Sequence, residues 1–114
     1  MEGISVEITD AGTIGPRVRV NTQSWGSQRP PIAGQEPVRS PLFFDVSVEG
    51  LTRGKATVYI THDNVTVNHK LHHWDDKQKK WSPHTADTQV SKKTISAKFD
   101  VADLHGTPIV IGTT

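Results

Sequence analysis

Ala56-Thr57-Val58-Tyr59-Ile60-Thr61 decides how this chain is read. Apolar and polar residues alternate without a break. In an extended chain, successive side chains point to opposite faces. Ala56, Val58 and Ile60 then form one row, and Thr57, Tyr59 and Thr61 the other. A helix would scatter the same residues around its axis. The stretch predicts a strand with one face in a core and one in water.

The rhythm recurs along the chain. Ile4, Val6 and Ile8 alternate with Ser5, Glu7 and Thr9. Val18 and Val20 alternate with Arg17 and Arg19. Leu42, Phe44, Val46 and Val48 alternate with Phe43, Asp45, Ser47 and Glu49. Ile95, Ala97, Phe99 and Val101 alternate with Ser96, Lys98 and Asp100. Less regular strand candidates lie at residues 70–75, 81–90 and 108–111. No window carries a helical stripe; Val101-Ala102-Asp103-Leu104 makes one helical turn at most.

The breaks agree with strands. Gly50-Leu51-Thr52-Arg53-Gly54 separates two of them. Asp75-Asp76-Lys77-Gln78-Lys79-Lys80 reads as a hairpin loop with a charged tip, and Ser91-Lys92-Lys93 as a shorter turn. Between residues 24 and 41 the chain carries Pro30, Pro31, Pro37 and Pro41 together with Gly26 and Gly34. Proline removes ladder donors, so this stretch is not a central strand. It reads as a long irregular crossover between sheets.

The chain has 114 residues, with 13 basic against 12 acidic side chains and a hydrophobic share of 33%. That length suits one domain, and the low apolar share suits strands that each show one face to water. The balanced charge gives no field favouring nucleic acid or anionic lipid. No apolar run approaches the ~20 residues of a membrane helix. Met1-Glu2-Gly3 has no signal-peptide character, and a Met placed directly before a strand pattern suggests a domain cut from a longer parent. With no cysteine, disulfides, thiolate zinc sites and Cys nucleophiles are excluded, and the compartment stays open. The expectation is a single all-β domain, an antiparallel, immunoglobulin-like β-sandwich of about seven or eight short strands. Residues 1–22 supply N-terminal strands, 23–41 the crossover loop and 42–114 the main body.

The second half has a rhythm of its own. It runs Ala56-Thr57-Val58-Tyr59-Ile60-Thr61-His62-Asp63, then Lys70-Leu71-His72-His73-Trp74-Asp75-Asp76, then Lys79-Lys80-Trp81. Val90 to Phe99 follows, and His105-Gly106-Thr107-Pro108-Ile109-Val110-Ile111 closes the chain. Over residues 42–112 this resembles the β-rich modules of large prokaryotic surface and secreted proteins. More distantly it looks like the terminal part of autoproteolytic β-sandwich modules, the ZU5-type and adhesion-receptor cleavage domains. Those close with a His-X-Ser/Thr tripeptide before an apolar strand. The resemblance implies a surface module used for spacing, adhesion or carriage of a neighbouring domain. It also implies that His73 stands where an aromatic packs into the core.

Four constellations carry chemistry. In a cis-autoproteolysis reading, Thr107 is the nucleophile, His105 the general base, and Gly106 gives up its carbonyl. Against it, Pro108 follows Thr107, and glycine at 106 relieves strain. The plainer reading takes precedence: a tight turn at Gly106, with Pro108 opening an edge strand. His69 and His73 share a strand face and, with Asp75 or Asp63, compose a donor set that suits zinc. No compact ligand signature accompanies them, and neighbouring lysines oppose a cation. Trp74 and Trp81 flank the charged loop and pair across it. With Tyr59 they would make a platform for sugar rings, beside Asp75, Asp76 and Gln78; the plainer reading buries them. Trp25 pins the proline-rich loop onto the body.

Weaker signals complete the set. Lys77, Lys79, Lys80, Lys92, Lys93 and Lys98 cluster near the C-terminal hairpins, a pattern common as protection of strand edges. Asp63, Asn64, Asp75, Asp76, Asp100 and Asp103 are oxygen donors in turns, without the density of a calcium loop. Asn64-Val65-Thr66 fits a glycosylation sequon. No phosphate loop, nucleophile elbow or paired catalytic carboxylates appear.

The resulting expectation is a non-enzymatic, extracellular or cell-surface module with no cofactor, serving as spacer or protein–protein interaction domain. Its partners are neighbouring domains of the parent chain and a protein or glycan ligand, not nucleic acid or a membrane interior. The alternatives are a carbohydrate-binding module using Trp74 and Trp81, and self-cleavage between Gly106 and Thr107.

Overall fold

Among the described residues, the alternation in the sequence becomes nine strands: β1 (Gly3–Thr9), β2 (Arg19–Gly26), β3 (Arg39–Glu49), β4 (Lys55–Thr61), β5 (His69–Asp75), β6 (Lys80–His84), β7 (Ala86–Gln89), β8 (Thr94–Asp100) and β9 (His105–Thr113). The structure, a computed structural model, describes residues 3–10, 12 and 17–113. The start at Met1-Glu2 and part of the expected 1–22 strand region lie outside the described residues. Short 3₁₀ turns occupy Val90–Lys92 and Val101–Asp103. The second is the single helical turn that the sequence allowed.

All pairings are antiparallel. One sheet has four strands in the order β1-β4-β8-β7, and the other five in the order β2-β3-β9-β5-β6. The two pack face to face as an all-β sandwich. The count exceeds the expected seven or eight because residues 80–89 are not one strand. Lys80–His84 pairs in the five-stranded sheet and Ala86–Gln89 in the four-stranded one. The chain changes layers at Thr85.

The core lies between the inner rows. Ala56, Val58 and Ile60 of β4 have no exposed surface, and neither do Val46 of β3 or Ile109 and Ile111 of β9. Phe44, Leu71, Ile95 and Phe99 join them. Burying each valine or isoleucine side chain contributes roughly 1.5–3 kcal/mol. Val65, from the loop between β4 and β5, closes one end of the core.

The N-terminal third differs from expectation. β1 pairs with β4 while β2 pairs with β3, so the first two strands lie in different sheets. The proline-rich stretch is not a crossover between sheets. It joins adjacent strands of one sheet as the loop of a long hairpin, and the layer change falls between β1 and β2. The loop is also shorter than 23–41, because β2 continues through Gly26 and β3 begins at Arg39.

That loop folds back over the outer face of the five-stranded sheet. There Val38 packs with Phe43, Trp74, Trp81 and Val110 in a second apolar cluster, flanked by Trp25 and Ala33. An Arg29 Nε–Glu36 Oε2 bond of 2.9 Å ties the loop to itself. The loop explains the sequence of β9. Ile109 and Ile111 face the main core while Val110 faces the second cluster, so Pro108-Ile109-Val110-Ile111 is buried on both sides and loses its alternation. β9 is the central strand of its sheet, between β3 and β5. The expectation that Pro108 opens an edge is therefore corrected.

Candidate functional site

The His105-Gly106-Thr107 tripeptide sits on a β-bulge. Asp45 pairs with Pro108 and Ser47 pairs with His105, which leaves Gly106 and Thr107 together opposite Val46. Gly106 has φ of 97°, a conformation that glycine adopts without a Cβ penalty. An extra residue breaks period-two facing. His105 and Thr107 would share a face in a regular strand, yet here His105 is exposed and Thr107 buried. The bulge also accommodates Pro108, which has no N–H to offer the ladder.

Thr107 is held by a residue far away in sequence. Its Oγ1 lies 2.7 Å from Nε2 of His73 on β5. The His73 ring is buried edge-on against Phe99, with centroids 5.3 Å apart, and His84 packs at 5.8 Å. Desolvation, then the charge of His84, lowers the His73 pKa to about 4. The ring is neutral at pH 7, and in the Nδ1–H tautomer its Nε2 accepts the Thr107 hydroxyl proton. A hydroxyl beside a neutral imidazole has the composition of a nucleophile–base pair. Here the bond satisfies two buried polar groups, and the Gly106 backbone occupies a region open to glycine. The base expected from sequence, His105, lies on the other side of the bulge.

The metal set does not assemble. His69 and His73 stand four residues apart on one strand, about 13 Å at the usual rise. His69 Nδ1 accepts the Thr66 N–H at 3.0 Å, and His73 holds Thr107. Asp75 Oδ1 accepts the N–H groups of Lys77 and Gln78 at 3.0 and 3.1 Å, forming the hairpin turn. Among the described residues no three His, Cys, Asp or Glu side chains converge on a metal position. Two of the calcium candidates also have cationic partners: Asp76 accepts from Lys79 and Asp100 from Lys55.

Trp74 and Trp81 pair across the hairpin as the sequence suggests. Their centroids are 5.3 Å apart, with planes at 70°. They are 5% and 9% exposed, so neither ring face is open to a sugar. Trp81 Nε1 donates to Gly34 O at 2.9 Å, Trp25 Nε1 to Asp45 Oδ2 at 2.9 Å, and Trp74 packs beneath Gly34. The pair is floor to the loop rather than platform to a ligand. Trp25 was expected to pin the loop, but it lies in β2 and its bond to Asp45 ties β2 to β3, while its ring flanks the second cluster beside the loop.

Tyr59 belongs to a different surface. It is half-buried in the outer row of β4, on the four-stranded sheet, remote from both tryptophans in the layering. Strand register sets it in a row with Ser5 on one side and Ser96 and Asp87 on the other. A hollow of about 630 Å³ opens here, lined by Thr57, Tyr59, Asp87, Gln89, Ser96 and Lys98 among others. Of these the sequence reading singled out Tyr59, as a platform residue, and Lys98, as one of the hairpin lysines, and placed neither in a hollow. The signal was present in the polar halves of the alternating stretches, but which polar rows become neighbours depends on strand order.

No family model, no curated protein and no solved structure matches the chain.

Proposed function

We propose that the chain is a non-catalytic β-sandwich module of a larger extracellular or cell-surface protein. It acts as a spacer and as a protein–protein contact domain through the outer face of its four-stranded sheet. The observation that carries this reading is the difference between the two outer faces. The five-stranded sheet is covered by the chain's own loop, over Trp74, Trp81 and Phe43. The four-stranded sheet keeps its outer rows open, with the polar hollow around Tyr59. The groups that resemble reactive chemistry, Thr107 and His73, are engaged with each other inside the sandwich.

Site-specific photocross-linking in the full-length parent protein tests the reading. A photoreactive residue at position 96, in the hollow, is expected to yield one discrete protein adduct. The same residue at position 77, on the exposed hairpin tip, is expected to yield none. Equal labelling at both positions, or none at 96, counts against the contact face.

A further inference from the structure

A sheet edge presents unpaired backbone N–H and C=O groups, and native proteins protect such edges with shortness, proline, charge or cover. The four edges of this sandwich are treated unequally. β6 has five residues, with Pro83 inside it and Lys80 at its start. β7 has four residues and carries Asp87. β1 presents Glu7 outward, while Ile4, Val6 and Ile8 pack against the core.

Among the described residues, β2 has none of these protections along its middle. It spans eight residues, and from Val20 to Ser24 it contains no charge and no proline. Both of its side-chain rows are exposed there. Its neighbour β3 buries Phe44, Val46 and Val48, so cover by the four-stranded sheet ends at β3 and β2 overhangs it. Val20 is 42% exposed although it pairs with the buried Val48. Trp25, the extra residue of the bulge that follows Ser24, and Gly26 after it turn in toward the body.

We infer that this edge is a docking site for β2 of a second copy of the chain, joined antiparallel about a two-fold axis at Thr22. A free ladder is completed by another extended backbone, which fixes the chemistry of the occupant. The sequence of β2 suits itself. A two-fold axis through a continuous sheet keeps each row on its own face. Thr22 then meets Thr22, Val20 meets Ser24, and Asn21 meets Gln23. Threonine pairs and amide pairs are favourable cross-strand partners. The one charge, Arg19, falls at the outer end of the pairing and meets no like charge. The two five-stranded sheets become one ten-stranded sheet, an isologous arrangement that closes after two copies. This goes beyond the contact face proposed above, which lies on the other sheet.

Analytical ultracentrifugation over a concentration series tests the inference. Wild-type chain is expected to show a monomer–dimer equilibrium. Thr22→Lys sets two lysines opposite each other and is expected to weaken the dimer about tenfold or more. Because Thr22 is exposed, the melting temperature of the monomer should not move. An equimolar mixture of Thr22→Lys and Thr22→Glu is expected to restore a heterodimer, which a merely structural effect of either substitution would not do. A strictly monomeric wild type overturns the inference. So does a dimer indifferent to Thr22→Lys, or an edge that instead captures a strand of a different protein. Cross-linking from position 96 reads the other sheet, so either proposal can fail without the other.

Discussion

Within β9, two glycines are required for different reasons. Gly106 has positive φ and open space around it; a Cβ there meets nothing within 4 Å. Gly106→Ala is therefore expected to cost about 1–2 kcal/mol, from backbone strain alone. Gly112 is required for space: a Cβ would come within 2.6 Å of both Arg39 O and Val38 Cγ2. Gly112→Ala is expected to cost about 1–3 kcal/mol by overpacking and to loosen the start of β3. Urea titration of the two variants checks the costs, and hydrogen exchange at residues 38–40 should change in Gly112→Ala alone. His73 makes stability depend on pH. Its pKa is about 4 in the folded chain and ordinarily ~6.5 when unfolded. Its contribution is fully present above pH 6.5, is lost as pH falls toward 4, and levels off below that. The full loss is about 3 kcal/mol. The groups facing it are His84, Asp103, His105 and Thr107; the Asp103 charge and a backbone hydrogen bond at Thr107 oppose the depression. His69, His72 and His84 are also lowered by burial and add the same sign. Asp45 is raised by burial and opposes them only in the carboxylate range. His73→Gln keeps a partner for the Thr107 hydroxyl and removes the titration. Denaturant melts at pH 7.5, 5.5 and 4 should show a flatter profile for the variant.

The β5–β6 hairpin and the loop between β2 and β3 stabilise each other. The hairpin brings Trp74 and Trp81 edge to face, and the loop supplies the cover that keeps them dry. Trp74→Ala is expected to cost about 3–5 kcal/mol, as removal of a large buried aromatic does. Trp81→Phe keeps most of the packing but loses the bond to Gly34 O. It is expected to cost about 0.5–1.5 kcal/mol and to speed proteolysis within residues 27–38, read by mass spectrometry of limited digests. With both rings buried, titration with neutral polysaccharides is expected to leave the tryptophan fluorescence unchanged. A glycan-induced shift abolished by Trp74→Ala would contradict the covered arrangement. The pairing of the two tryptophans was legible from the charged loop between them. Their burial was not, because the covering residues lie some forty positions earlier and nothing local marks where a loop will land.

For the molecule as a whole, the pairings that close the sandwich are distant in sequence: β3 with β9, β4 with β8, and β5 with β9. Loop closure must precede each of them, so refolding is expected on the millisecond-to-second scale typical of β-sandwiches. Stopped-flow tryptophan fluorescence checks this, since all three tryptophans lie on the five-stranded side. A microsecond refolding phase that recovers the full signal would contradict it. What the sequence alone determined is local facing. An extended chain has a period of two, so Ala56, Val58 and Ile60 declare themselves core and Thr57, Tyr59 and Thr61 surface before any partner is known. Turns declare themselves by glycine, proline and charge. What only the tertiary structure decided is adjacency. It set the proline-rich loop over Trp74 and Trp81, put Tyr59 on the opposite sheet, and gave the Thr107 hydroxyl to His73 instead of His105. The physical reason is that period-two alternation tells a strand which way its side chains point. Strand order, bulges and the landing of loops arise from contacts between distant segments, and a local pattern carries no record of them.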